Sequence, residues 1–186
     1  MEIIFVRHAE KDVESKEGSL SKKGVIQANN LAKKLSKDKF DEFYCSDKNR
    51  AKETSLIVAR RIGIKPTIEQ VLNEFEVEIF KKEFKDWDND SKIRFKSLKN
   101  FLDSLTKRAN TKKRVLIIAH GYTNRLVLGI LLEISLKNLI RFQQSETAIN
   151  EVCWNEYFKN WRLRTWNNDG HIPIKFKNKQ IIDTYV

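Results

Sequence analysis

Two apolar segments, each ending at a histidine, constrain the fold of this chain more than any other feature. Glu2–Val6 and Arg114–Ala119 are short apolar runs of the kind that form strands buried on both faces, and segments with helical periodicity lie between them. Strands that alternate with helices form mostly parallel sheets. We therefore predict an α/β fold, a three-layer α/β/α sandwich with a mostly parallel central sheet.

Capping residues and hydrophobic spacing place the other elements. The first predicted helix is Gly24–Leu35, with Ser21 as its N-cap. Ser46 is predicted to cap a second helix that runs to about Ile62, and Asp90 or Ser91 a third that runs to about Arg108. A fourth follows His120 and ends near Leu132. The other predicted strands are Phe40–Cys45, Pro66–Val71, Thr147–Tyr157 and Trp161–Trp166. Residues 73–90 show no clear period, and the basic tail from about residue 173 is predicted to be loose. With neither a linker nor a repeat, we predict a single domain over residues 1–186.

The charge of the chain restricts its partners. There are 36 lysine and arginine residues against 25 aspartate and glutamate residues, which gives a formal net charge of +11. Such an excess suits nucleic acid, an anionic membrane surface or a small anionic substrate. The lysines are spread along the chain and no nucleic-acid motif is present, so the sequence does not favour a nucleic-acid partner.

Several features predict a cytoplasmic protein with no membrane partner. No apolar run approaches the roughly 20 residues of a membrane span. The N-terminus begins as a strand and lacks the basic segment of a signal peptide. Cys45 and Cys153 are far apart and form neither a metal-ligand motif nor a disulfide framework, as expected in a reducing compartment. The sequence does not indicate an oligomeric state.

Histidine and arginine side chains are predicted to meet at one edge of the sheet. His8 and His120 directly follow predicted strands, Arg7 precedes the first of them, and Arg50 lies in the first turn of the helix after the second strand. In open α/β sheets, ligands bind beyond the carboxyl ends of the strands. Arginine matches phosphate geometry, helix N-termini bind anions, and histidine can act as a nucleophile near neutral pH. This pattern predicts a site for a phosphate ester.

Six segments, in this order along the chain, resemble the histidine phosphatase superfamily, the phosphoglycerate-mutase-like proteins. FVRHAEK is similar to the family's strand with Arg-His-Gly, and SLSKKGVIQANNLAKKL to its Leu-Thr-x-x-Gly-x-x-Gln-Ala helix. FDEFYCSDKNRAKETSLIVA is similar to the strand followed by Ser, Arg-Ala and Thr, and VLNEF to the Leu-x-Glu element. VLIIAHGYTNRLVL resembles the strand with the second His-Gly, and RTWNNDGHI resembles the late Asn-Asp-x-x-His stretch. These segments span about residues 2–172.

The resemblance implies a phosphoglycerate-mutase-like fold and a role for each matching residue. His8 would be the nucleophile that becomes phosphohistidine, and Arg7 and Arg50 would hold the phosphate oxygens. His120 would donate to the same oxygens, with Gly121 beside it in the phosphate site. Phosphoryl transfer depends mainly on positioning and charge stabilisation, which these cations can provide. No carboxylate cluster indicates a metal, so neither a metal nor another cofactor is expected.

The resemblance also implies that Glu74 donates a proton to the leaving alcohol and later activates water. Glu76, Glu78 and Glu83 lie in the same stretch without a clear period, so they stay open as alternatives, with Glu78 next after Glu74.

This sequence departs from the family pattern in the loop after the nucleophile. Ala9 replaces the usual glycine, and a small residue still fits unless the backbone needs a positive φ. The loop DVESKEG lacks the asparagine found in many members, and Lys11 is a candidate to replace its phosphate contact. Tyr122 and His171 are candidates for the rim of the pocket.

We predict a metal-independent hydrolase of small anionic phosphomonoesters. One alternative is a cofactor-dependent phosphoglycerate mutase, but the interval of residues 75–119 is short for the cap that those mutases carry. A further alternative is a basic nucleic-acid-binding module with a degenerate enzyme core. The identity of the substrate is not readable from the sequence.

Overall fold

The computed structural model describes residues 1–107, 109 and 111–177. Its strands are β1 (Glu2–Arg7), β2 (Glu42–Cys45), β3 (Thr67–Ile68), β4 (Arg114–Ala119), β5 (Ile149–Asn155) and β6 (Asn160–Asn168). Its α-helices are α1 (Lys22–Leu35), α2 (Asn49–Ile62), α3 (Asn89–Thr106), α4 (Gly121–Leu132) and α5 (Leu136–Leu139). Short 3₁₀ turns lie at Gln70–Leu72, Val77–Lys81, Phe84–Asp86 and Ile174–Phe176. None of the helices in these residues is both long and apolar enough to cross a membrane.

The strands form a six-stranded sheet in the order β3-β2-β4-β1-β5-β6. The first four strands along the chain are parallel to one another, whereas β5 pairs antiparallel with β1, and β6 antiparallel with β5. The mostly parallel sheet is therefore confirmed, with an antiparallel hairpin at one edge. Because Arg7 of β1 lies opposite Ala119 of β4, the two predicted histidines follow adjacent strands at the same edge.

Alternate residues of the central strands face two separate hydrophobic layers. Ile3 and Phe5 of β1 pack in a cluster with buried leucines of α3 and α4. Ile4 and Val6 pack on the other face with Leu31 of α1 and other apolar residues of α1 and α2. This alternation follows from the two-residue period of a strand. It confirms the three-layer α/β/α sandwich.

The predicted caps are right for α1 and wrong for α2 and α3. The Ser21 hydroxyl accepts the Gly24 amide proton at 2.9 Å, as expected of an N-cap. Helix α2 begins after Lys48, because the Ser46 side chain bonds to distant residues instead of capping the helix. Helix α3 begins after Asp88, whose carboxylate accepts the Ser91 amide proton. Arg108, the predicted end of α3, lies outside the described residues.

Two predictions about the chain between and after the main elements need correction. The predicted strand Pro66–Val71 is paired only at Thr67–Ile68. The tail is not loose where it begins, because Phe176 accepts a hydrogen bond from Gln27, and Lys177 forms an ion pair with Asp169. Residues 178–186 lie outside the described part of the chain.

Replacing Gly24 by alanine should destabilise the protein, although alanine normally favours a helix over glycine. A Cβ atom at this position would lie 2.1 Å from the Glu10 carbonyl oxygen, so α1 or the loop after β1 would have to move. We expect a loss of about 1–3 kcal/mol in the free energy of unfolding, the usual cost of overpacking. Urea denaturation measures it, with Gly170→Ala at an exposed turn as the matched control. An unchanged or higher urea midpoint for Gly24→Ala would contradict this close packing.

Candidate active site

His8 lies at the carboxyl end of β1 and is almost completely buried. Its Nδ1 is 2.7 Å from the Ala9 carbonyl oxygen, and its Nε2 is 2.9 Å from Nε of Arg50. A carbonyl only accepts and a guanidinium only donates. The imidazole is therefore neutral, with the proton on Nδ1 and the lone pair on Nε2.

Two arginines from different elements act on this histidine, one by a hydrogen bond and one by its charge. Arg50 lies in the first turn of α2 and donates its Nε–H to His8, as described above. Arg7, at the end of β1, donates from Nη1 to the Gln144 carbonyl at 2.6 Å, and its Nη2 lies 3.1 Å from Oε1 of Glu146. The buried Nε of Arg7 has no hydrogen bond to the described residues. Arg50 thus lies at the lone pair of His8, while Arg7 is held by Gln144 and Glu146 and acts on His8 through its charge.

His120 is fully buried at the end of β4 and faces His8. The two imidazole rings meet edge to face with their centroids 5.0 Å apart. The Nε2 atom of His120 is 2.7 Å from the Ser46 hydroxyl, and its Nδ1 is 3.5 Å from Oε2 of Glu74. Adjacent parallel strands therefore bring together the two histidines, as predicted.

Glu74 is the acidic residue of its stretch that the chain brings to the histidines. Its Oε1 accepts the Tyr122 amide proton at 3.0 Å, which fixes the carboxyl group at the start of α4. The alternative Glu78 is exposed and pairs with Lys81, and Glu76 and Glu83 are exposed as well. The geometry thus favours Glu74 among the four candidates.

Burial and neighbouring cations shift the pKa values of these groups. Burial, followed by the charges of Arg7 and Arg50, lowers the pKa of His8 well below 6.5. Burial, followed by the nearby His8 and Arg50, also lowers the pKa of His120 well below 6.5. Burial raises the pKa of Glu74 above 4.5, although the Tyr122 amide and both arginines act in the opposite direction. The site therefore favours neutral histidines, and burial disfavours the ionised form of Glu74.

The sequence profile of the histidine phosphatase superfamily (branch 1) matches residues 3–169. The chain belongs to this superfamily. This confirms the predicted family, since the match covers nearly the whole chain.

A curated protein and solved structures extend the comparison. The chain is 25% identical over 180 residues to "Putative phosphoserine phosphatase 2" of Hydrogenobacter thermophilus, covering 81% of this chain and 88% of that protein. The phosphoserine phosphatase of Entamoeba histolytica, solved with phosphoserine, superposes with a TM-score of 0.71 at 21% identity, over 92% of this chain and 99% of that one. A mycobacterial glucosyl-3-phosphoglycerate phosphatase gives a TM-score of 0.71 at 17% identity, over 89% and 98% of the two chains. The structures confirm the fold, and the family and the curated relative support the prediction of a phosphatase.

The central trio of this histidine phosphatase superfamily member has the spacing of a metal site but the charge of an anion site. One ligand atom each of His8, Glu74 and His120 lie within 4.8 Å of one another. The guanidinium groups of Arg7 and Arg50 act on the same histidines and would repel a bound cation. A guanidinium donor at the lone pair of His8 and a second arginine charge nearby suit phosphate oxygens better than a metal ion.

The remaining candidates lie at different distances from this centre. Arg7 packs against Gly121, which begins α4. Lys11 is exposed, yet its charge contributes to lowering the pKa of His8. The backbone amide of Tyr122 donates to Glu74, while its ring packs against Phe80. Ala9 is buried and lies outside the positive-φ region, so this position does not require glycine.

His171 lies in the C-terminal segment, beside Asp169 and Lys177. Burial lowers its pKa to about 4. In the described part of the chain no contact joins it to the two central histidines, and its placement at the pocket rim stays a prediction.

Sequence reasoning missed several residues that hold the site together. Thr54 accepts the Ala9 amide proton at 3.1 Å, and Gln27 accepts that of Glu10 at 2.8 Å. Glu146 pairs with Arg7, and Asn73 accepts from Ser46. The family pattern includes the positions of Ser46, Thr54 and Gln27, so it indicated these three residues. It did not indicate which groups their side chains contact.

Proposed function

We propose that the protein hydrolyses phosphomonoesters through a covalent phosphohistidine on His8, without a metal. The observation that carries this proposal is the tautomer of His8. Its Nε2 lone pair points toward Arg50, in a pocket that also contains Arg7 and Glu74. A neutral imidazole whose free nitrogen lies among phosphate-binding donors is prepared for attack on phosphorus.

The reaction proceeds in two balanced steps. Nε2 of His8 attacks phosphorus, the N–P bond forms, and the ester P–O bond breaks. Glu74 gives its proton to the departing alkoxide, so the alcohol leaves neutral. In the second step Glu74 takes a proton from water, the resulting hydroxide attacks phosphorus, and the N–P bond breaks to release phosphate and restore His8. Glu74 thus acts first as the acid and then as the base.

The cations stabilise the charge that spreads over the phosphoryl oxygens. Arg50 must turn its Nε–H from His8 to a phosphate oxygen before the attack, because the two cannot share that lone pair. Arg7 remains held by the Gln144 carbonyl and by Glu146, so it presents a fixed donor. Fixed donors cost little reorganisation when the transition state forms.

Small phosphate esters with a second anionic group are the first substrates to test. The relatives named above act, by their names, on phosphoserine and on glucosyl-3-phosphoglycerate. The free thiols of Cys45 and Cys153 support a cytoplasmic enzyme.

The proposed hydrolysis is tested by phosphate release from a panel that includes phosphoserine, 3-phosphoglycerate and an aryl phosphate, with excess chelator. Loss of turnover in chelator, or faster interconversion of 2- and 3-phosphoglycerate than hydrolysis, would contradict it.

The pH dependence of kcat/KM should be bell-shaped, with its acid limb below pH 6.5. His8 must be unprotonated to attack, and its pKa is lowered well below that value. Glu74 must be protonated to donate, and its raised pKa extends activity above pH 4.5 before the alkaline limb begins. The profile is measured with corrections for the substrate phosphate, whose pKa is about 6. An acid limb at or above pH 6.5 would show that the nucleophile titrates as an exposed histidine does.

A further inference from the structure

The loop between α5 and β5 holds a carboxylate beside the strand that ends at the proposed nucleophile. Thr147 in this loop is fully buried, and its amide donates to the Arg7 carbonyl of β1 at 3.0 Å. Its φ is +57°, a conformation that a β-branched residue adopts only under constraint. The indole of Trp166 in β6 donates to the Gln143 carbonyl at 2.8 Å. The loop is thus tied to the sheet on both sides of Glu146.

Arg7 is bound by this loop along one edge of its guanidinium group. Nη1 donates to the Gln144 carbonyl at 2.6 Å, and Nη2 lies 3.1 Å from Oε1 of Glu146. The buried Nε has no hydrogen bond to the described residues, and a Cβ atom on Gly121 would lie 3.7 Å from it. Gly121 begins α4, and helix N-termini bind anions. The Nε edge of Arg7 therefore faces an anion-binding helix end, while its terminal nitrogens face the loop.

Glu146 offsets part of the positive charge with which Arg7 attracts phosphate. The side chain of Glu146 is only 14% exposed, so salt screens its charge weakly. A phosphate group at the Nε edge would share the guanidinium with this carboxylate on the other side. Two anions on one cation repel each other. Glu74 is a second acid near Arg7, but burial disfavours its ionised form.

We propose that Glu146 is a positioning residue that, through Arg7, lowers the affinity of the site for phosphate and so speeds release of the product. The carboxylate keeps Arg7 in place, so the donor geometry for the transferred phosphoryl group is retained while the product is held less tightly. Release of product limits the turnover of many enzymes. This inference rests on the proposed hydrolysis for its consequence in turnover, but phosphate binding is measurable without turnover.

Two pairs of variants isolate the charge at this position. Glutamine in Glu146→Gln still accepts a hydrogen bond from Arg7 but has no charge, and Glu146→Asn compares with Glu146→Asp in the same way at a shorter length. In each pair the neutral member should bind inorganic phosphate about 3- to 10-fold more tightly, as expected when a nearby like charge is removed. Isothermal titration calorimetry of the full chain measures this affinity. Glu151→Gln is the matched control, because Glu151 is 16% exposed and pairs with Arg164. It should leave the affinity unchanged.

Inhibition of aryl phosphate hydrolysis by inorganic phosphate tests the consequence for turnover. The Ki of phosphate should fall in Glu146→Gln by the same factor as the Kd, and kcat should not rise, because tighter binding of the product does not speed its release. Equal or weaker phosphate binding by Glu146→Gln would overturn the proposal, and the Asp and Asn pair decides in the same way if that variant does not fold. A higher kcat in Glu146→Gln would also overturn it. Absent turnover with the expected affinities would refute only the hydrolase, whereas a wild type that binds no phosphate would overturn both.

Discussion

Replacement of His8 by alanine is expected to abolish phosphate release. The variant lacks the only nucleophile whose lone pair lies beside both Arg50 and the proposed proton donor in the described structure. Loss of a covalent nucleophile removes the two-step route altogether, and we expect kcat to fall by at least about 10⁴-fold. The measurement is steady-state phosphate release from an aryl phosphate and from phosphoserine. Circular dichroism and urea denaturation establish that the variant is folded.

The covalent intermediate gives an independent measurement on the same variant. Wild-type enzyme quenched in denaturant during turnover of ³²P-labelled substrate should retain acid-labile, base-stable label, and His8→Ala should retain none. Cys153→Ala is the matched control for a different nucleophile and should keep both label and turnover, since Cys153 lies in β5 away from the central trio. Turnover that survives in His8→Ala, or label that disappears in Cys153→Ala, would refute the phosphohistidine mechanism.

The central part of this site was predictable because its residues are tied to regular elements. Arg7 and His8 end β1, His120 ends β4, and Arg50 lies in the first turn of α2. The direction of parallel strands then determines that these residues meet at one edge of the sheet. Apolar runs and helical spacing thus contained enough information for both the sandwich and the edge of the sheet where these side chains meet.

The acid could not be placed by the same reasoning. Glu74 lies between short 3₁₀ turns, where no period relates one side chain to the next. Its position depends on burial of its neighbour Phe75, on Arg94, and on the Tyr122 amide, all of which are contacts across the fold. Only the resemblance to the family separated it from the other glutamates.

Ser46 shows why local sequence rules fail at a functional site. A serine just before a helix is a good N-cap by its sequence position. Its hydroxyl instead serves Asn73 and His120, 27 and 74 residues away along the chain, and helix α2 begins at Asn49 without a side-chain cap. Its one local bond is to the Lys48 amide, which precedes the helix, so local preference and site geometry compete at this position.

Glu74→Gln should slow formation of the phosphohistidine strongly from an alkyl phosphate and much less from an activated aryl phosphate. Glutamine keeps the size of the side chain and can still accept the Tyr122 amide proton, but it has no acidic proton to give. With phosphoserine, the rate of phosphohistidine formation should fall about 10²- to 10⁴-fold, the usual contribution of a positioned acid. A nitrophenolate leaves readily without a proton, so formation of the phosphohistidine from its ester needs little help from Glu74.

The decisive measurement for Glu74 is the ratio of the phosphohistidine-formation rates from the two substrates. Burst kinetics with 4-nitrophenyl phosphate separate formation of the phosphohistidine from its hydrolysis, which still needs Glu74 as the base for water. The variant should therefore keep a burst of nitrophenolate and show a slow steady state. Glu78→Gln is the matched control, because Glu78 is exposed and pairs only with Lys81 among the contacts of the described structure. Equal losses for the two substrates in the rate of phosphohistidine formation, or a larger loss in Glu78→Gln than in Glu74→Gln, would remove Glu74 from the role of proton donor and return that role to the other glutamates of its stretch.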